Sequence, residues 1–133
     1  MNIEEIKLTS NSVKKLADKG VTILAALKSY LSQEFQGHIS IKRETSHSLL
    51  VTYYGYPLLF RIELPMGGQG ITGQIVAYSQ SYDVEPVESP IGVAYTFDSL
   101  GNINRRFTEA EFSPWFVSEI FTKICEQGIT LRP

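Results

Sequence analysis

Cysteine, histidine and tryptophan are scarce: the 133-residue chain holds Cys125, His38, His47 and Trp115 and no others of these types. A single thiol excludes an internal disulfide framework and fits a reducing compartment. The imidazoles and the thiol follow no C-x-x-C, H-x-E or H-x-x-x-H spacing. A zinc site would lack its three or four converging ligands, and neither a metal nor another cofactor is expected. Long apolar runs are missing as well. The longest, Val21 to Leu27, is broken by Thr22 and falls far short of the ~20 residues that span a bilayer. The first residues, Met1-Asn2-Ile3-Glu4-Glu5, are acidic where a secretory signal carries Lys or Arg, so a cytoplasmic location without a membrane partner is expected. Nor is there an excess of positive charge. Twelve Lys and Arg against fourteen Asp and Glu give a net charge of −2, without the basic footprint that phosphate neutralisation needs, so nucleic acid is not an expected partner.

The remaining composition is that of one folded domain. Hydrophobic residues make up 43% and charged residues 20%, which excludes wholesale disorder, and no repeat or low-complexity linker divides residues 1–133. The expected fold is α+β: an N-terminal helix over about 12–35, a five- or six-stranded antiparallel meander over about 38–107, and a C-terminal helix over about 114–127.

Val13, Leu16, Ala17, Gly20, Leu24, Leu27, Leu31 and Phe35 recur at three- and four-residue steps, one apolar stripe of a helix. Ser10, Asn11 and Ser12 are cap candidates, Gly37 is placed to end the helix, and Gly20 permits close approach to a sheet. From His38 the period becomes two. Gly55-Tyr56 suits a type II′ turn that pairs Tyr53 with Leu58, Val51 with Phe60 and Leu49 with Ile62. Asp98-Ser99-Leu100-Gly101 suits a type I turn with Gly101 left-handed, pairing Phe97 with Ile103, Tyr95 with Arg105 and Val93 with Phe107. Ser113-Pro114 reads as an N-cap and first helical position, preceded by a Thr108–Glu111 capping box, and Gly128 stops the last helix. The order of elements is similar to that of small immunity proteins and secretion chaperones, which hold another protein by a sheet face or edge. No motif of either family is present, so the likeness is one of architecture alone.

No residue pattern points to catalysis. His38 and His47 read as surface histidines, Cys125 as a small buried hydrophobe and Trp115 as packing. The glycine-rich Met66–Gly73 stretch carries no Lys and leads into alternation rather than a helix, so it is a hairpin connection and not a phosphate loop. Asp83, Glu85 and Glu88 lie in a loop, and no Lys or Arg occurs between Arg61 and Arg105. An acidic surface facing a basic partner follows. The sheet side opposite the apolar set carries Leu50, Thr52, Leu59, Arg61, Val76 and Tyr78, with Tyr54 and Tyr56 at the turn. That composition is less polar than a solvated sheet face and is enriched in Tyr and Arg, as interfaces are. The reading is a non-enzymatic protein-binding module with Tyr54, Tyr56, Leu59, Arg61, Tyr78 and Arg106 as contact residues, its partner another protein or a second copy of the chain. The alternative is a small-molecule-binding or hydrolytic domain whose pocket, between sheet and first helix, is lined by Tyr95 and Arg105.

Overall fold

A computed structural model describes residues 1–68, 70–80 and 88–133. The chain runs α1 (Ile3–Glu34), β1 (Ile39–Glu44), β2 (Ser48–Tyr53), β3 (Tyr56–Glu63), β4 (Met66–Gly67), β5 (Gly70–Ile71), β6 (Gly73–Gln80), β7 (Glu88–Phe97) and α2 (Phe112–Gln127). Five strands form one antiparallel meander in the order β1-β2-β3-β6-β7, and β4 with β5 makes a separate two-stranded ribbon. The expected architecture is the observed one. Both helices pack on the same face of the sheet. There Leu16, Ile23, Leu24, Leu27 and Leu31 of α1 and Phe112, Phe116, Val117, Ile120 and Ile124 of α2 meet alternate strand residues, among them Leu49, Val51, Leu58, Phe60, Ile62 and Ile75.

The close approach at Gly20 is real. A Cβ there would lie 2.6 Å from Ile62 Cγ2, so only glycine lets α1 settle onto β3 at this point. The helix starts nine residues earlier than its apolar stripe suggests. Asn2 accepts a hydrogen bond from the Glu5 amide at 2.8 Å, and Glu4 and Glu5 complement the N-terminal dipole. The added turns project beyond the sheet with Ile3, Ile6 and Leu8 exposed, so capping, not burial, sets this boundary.

The hairpin β2–β3 is displaced by two residues from the expected register, with Tyr53 opposite Tyr56, Val51 opposite Leu58 and Leu49 opposite Phe60. Tyr54 (φ 46°) and Gly55 (φ 81°) form the turn, both left-handed as in a type I′ turn, whose twist suits the strands better than type II′. A shift of two preserves side-chain parity, so every residue keeps its expected face.

The 98–101 turn forms with Gly101 left-handed, and Phe97 bridges Ile103. The pairing of Tyr95 with Arg105 and of Val93 with Phe107 does not. Asn104 and Arg105 are both left-handed (φ 51° and 58°) and turn the chain so that Ile103 bridges Phe107 instead. Tyr95 pairs with Ile75. Val93, expected opposite Phe107, is 73% exposed, because β7 carries two extra residues between the partners of Ile75 and Ala77, at the left-handed Gly92. At the other edge of the sheet, Lys42 is an extra residue between the partners of Val51 and Leu50. This bulge turns Glu44 to the helical face, where it meets Lys28 at 2.7 Å.

Helix α2 begins at Phe112, one residue before the expected Ser113 cap. Ser113 is buried inside its first turn, and Pro114 sits where no amide proton is needed. The Glu111 carboxylate accepts from the Thr108 amide at 3.2 Å and from its hydroxyl at 2.7 Å, the expected link between the two residues. Those bonds hold the Glu111 carboxyl below its usual range. Gly128 ends the helix, and the Arg132 amide then donates to the Tyr54 carbonyl at 2.7 Å, so the tail ties down the β2–β3 turn. Cys125 is exposed, not buried: it follows Ile124 by one position and falls off the apolar stripe.

Candidate functional site

Parity across β2, β3 and β6 places Leu50, Thr52, Leu59, Arg61, Glu63, Gln74, Val76 and Tyr78 on the face opposite the helices. Among the described residues no helix packs there. Leu59 is nevertheless 1% exposed and Val76 6%, between half-buried Leu50, Arg61 and Tyr78.

A polar network overlies these apolar residues. Arg61 grips Glu88 with two parallel bonds of 2.8 and 2.7 Å, a fork that both positions and strengthens the pair. The same guanidinium lies 5.2 Å from the Tyr78 ring centroid. The Tyr78 hydroxyl donates to the Glu63 carboxylate, which also accepts from Gln74 at 3.3 Å. The bond from Arg61 holds the Glu88 carboxyl below its usual range, and the bond to Glu88 raises Arg61 further. Burial, then the bond to Glu63, pushes the Tyr78 phenol up to about 12. Burial and the nearby Glu119 do the same to Tyr95, also to about 12.

The signs of these shifts differ. Glu88 is depressed, so its contribution to stability is complete above pH 4.5 and is lost as pH falls through its lower folded value. The two phenols are raised, so their contribution is complete below pH 10.0 and is lost as pH rises through about 12. Phenolate absorbance of the folded protein is therefore expected to show Tyr78 and Tyr95 ionising near pH 12. Tyr78→Phe should remove one of that late pair, and an unchanged late amplitude would refute the assignment.

The six proposed contact residues do not converge. Leu59, Arg61 and Tyr78 share the open face, but Leu59 lies beneath its surface. Tyr54 sits in the turn, its hydroxyl bonded to the His38 ring and its carbonyl to the tail. Tyr56 turns toward the helical face and packs against the core. Arg106 lies at the other end of β7's return, 4.8 Å over the Phe107 ring. Asp83 and Glu85 of the acidic loop lie outside the described residues, while Glu88 is paired with Arg61. Sequence reasoning missed Glu63, Gln74 and Glu88 as members of the network. The signal was present in the alternation, since Glu63 and Gln74 continue the same parity as Arg61 and Val76.

Of the two residues assigned to the alternative pocket, the structure brings only Arg105 to a cleft. Tyr95 is buried against Phe116, with ring centroids 4.9 Å apart, and stacks on Phe107. Trp115 extends that stack outward and is 57% exposed. The cleft holds about 480 Å³, between the N-terminal half of α1 and the turns that follow β7. His47 bridges to the Ala17 carbonyl at 3.0 Å and fastens the β1–β2 turn to α1.

Among the described residues no three His, Cys, Asp or Glu side chains converge as a metal would require, and no helix is long and apolar enough to cross a membrane. Compared with protein-family models, curated proteins and solved structures, the chain finds no match.

Proposed function

We propose that the chain is a non-enzymatic protein-binding module of the cytoplasm, an adaptor, immunity-like or chaperone-like protein, that engages its partner through the open sheet face. The observation that carries this reading is the pre-set geometry of Arg61 and Tyr78. Both are residue types that dominate interface energetics, and both are held in place on a face that neither helix covers. Side chains fixed before binding lose little rotamer freedom on contact, which costs about 0.5–1.5 kcal/mol for each free one. Leu50 supplies apolar area beside them, and the acidic residues Asp83 and Glu85, in a stretch without Lys or Arg, favour a partner with a basic rim.

The test is capture on the immobilised protein, repeated with Arg61→Ala/Tyr78→Ala. A stoichiometric partner held by the wild type and released by the double variant is the expected result. The variant should melt within a few degrees of the wild type, because an ion pair about one-third exposed contributes at most about 1 kcal/mol. A partner retained by the variant would overturn the reading. So would a stability loss of about 3 kcal/mol or more, which would make the face a structural layer.

A further inference from the structure

We propose that the cleft between α1 and the turns after β7 binds a phosphate group carried on a small organic molecule. The site is independent of the sheet-face reading, since it lies on the helical side of the sheet.

Arg105 carries the inference. It is left-handed at φ 58°, at the second central position of a type I′ turn, where glycine is the residue without steric cost. A non-glycine residue in that conformation is strained; the backbone bonds between Ile103 and Phe107 hold the turn, and strain of this kind clusters at binding sites. Folding does not use this side chain. Arg105 is exposed and makes no hydrogen bond or ion pair among the described residues, yet it lines the cleft.

A second cation faces the same space from α1. Lys15 lines the cleft with no carboxylate within 4.0 Å among the described residues, whereas Lys19, one turn further on, is paired with Glu109 at 3.0 Å. Thr72 and Ser99 also line the cleft, beside Ser12 and Thr96, whose hydroxyls already donate to the Leu8 carbonyl at 3.2 Å and to Asn104 Oδ1 at 3.4 Å, and Leu16 and Phe97 give the floor an apolar part. Two cations with the hydroxyls of Thr72 and Ser99 suit a tetrahedral oxyanion, and a guanidinium matches phosphate in two parallel bonds. The apolar floor suits an organic body on the ester.

Asp98 also lines the cleft, and its carboxylate is already occupied. Oδ1 accepts from the Leu100 and Asn102 amides at 2.9 and 3.0 Å, and Oδ2 from the Asn102 side chain at 3.1 Å. Those bonds tie the carboxylate to the turn that presents Ser99; its negative charge stays in the cleft and is opposed by the two cations of Arg105 and Lys15.

The experiment is a titration of isotope-labelled protein with inorganic phosphate and with phenyl phosphate at constant ionic strength, read by amide chemical shifts. Saturable shifts at Ser12, Lys15, Thr72, Ser99 and Asn102 are expected, with phenyl phosphate the tighter probe. Equal affinity for the two probes would overturn the organic ester, and shifts that do not saturate would overturn the site. Arg105→Gly separates binding from folding. It should weaken phenyl phosphate by about tenfold or more through the lost charge-assisted bonds and raise the melting temperature by a few degrees through relief of the left-handed arginine. Wild-type affinity in Arg105→Gly would overturn the proposal. So would a lower melting temperature, which would show the side chain to be structural. Lys15→Met, on the exposed side of α1, should weaken binding without moving the melting temperature, and unchanged binding there would count against the site.

Discussion

Phe116→Ala is expected to lose about 3–5 kcal/mol in denaturant unfolding, the range for deleting a fully buried phenyl ring. Phe116 is wholly buried and lies at the crossing of three aromatic contacts, with Tyr95 at 4.9 Å, Phe60 at 6.0 Å and Phe112 at 6.2 Å between ring centroids. These tie α2 to β3 and β7 at once, and the site cannot collapse because its neighbours are anchored on different elements. Domains of this size are stable by about 5–15 kcal/mol, so the variant would sit near its unfolding midpoint at moderate temperature. Phe116→Leu fills most of the space and should cost clearly less. A loss below about 1.5 kcal/mol for the alanine variant would show that the ring is not central to the core.

Gly20→Ala is expected to destabilise, although alanine in place of glycine inside a helix ordinarily gains about 1 kcal/mol. The new Cβ would stand 2.6 Å from Ile62 Cγ2 and 3.3 Å from Cγ1, and Ile62 is buried between helix and sheet. Overpacking of this kind costs about 1–3 kcal/mol, which exceeds the propensity gain through most of that range. Gly20→Val should be worse on both counts. The decisive measurement is a double-mutant cycle with Ile62→Ala. The cavity left by Ile62 accommodates the new methyl, so the paired change should cost less than the two single changes together. Strict additivity would mean that the close approach constrains nothing.

That contact is legible in the sequence, because a glycine on the apolar stripe of a helix has few other uses. Face assignment along β2, β3 and β6 was legible for the same kind of reason: alternation specifies parity, and parity survives a register change of two. What alternation does not specify is where a strand gains residues. Val93 continues the alternation of Ile91 and Tyr95, yet the bulge at Gly92 carries it outward, and Lys42 reverses the parity of β1 in the same way. The left-handed pair Asn104 and Arg105 was equally hidden. Asn tolerates that conformation, but nothing marks Arg for it. The candidate sites divide along the same line. Arg61 and Tyr78 on one open face followed from period two. Their partners Glu88 and Glu63, and the cleft around Arg105, depend on contacts far apart in sequence that no local pattern encodes.

The two bulges have a bearing on how the chain behaves in company. β1 and β7 are the outer strands of the sheet, and each interrupts its ladder with extra residues, one at Lys42 and two around Gly92. A neighbouring chain that tried to extend the sheet would meet a row of donors and acceptors broken partway along, with Lys42 and Arg43 adding charge on one side. Growth into a stacked fibril needs the reverse, a straight rim that the next copy can copy in turn. Concentrated solutions should therefore resist seeding at either rim, and removing Lys42 to straighten β1 is the change expected to give a fibril its first template.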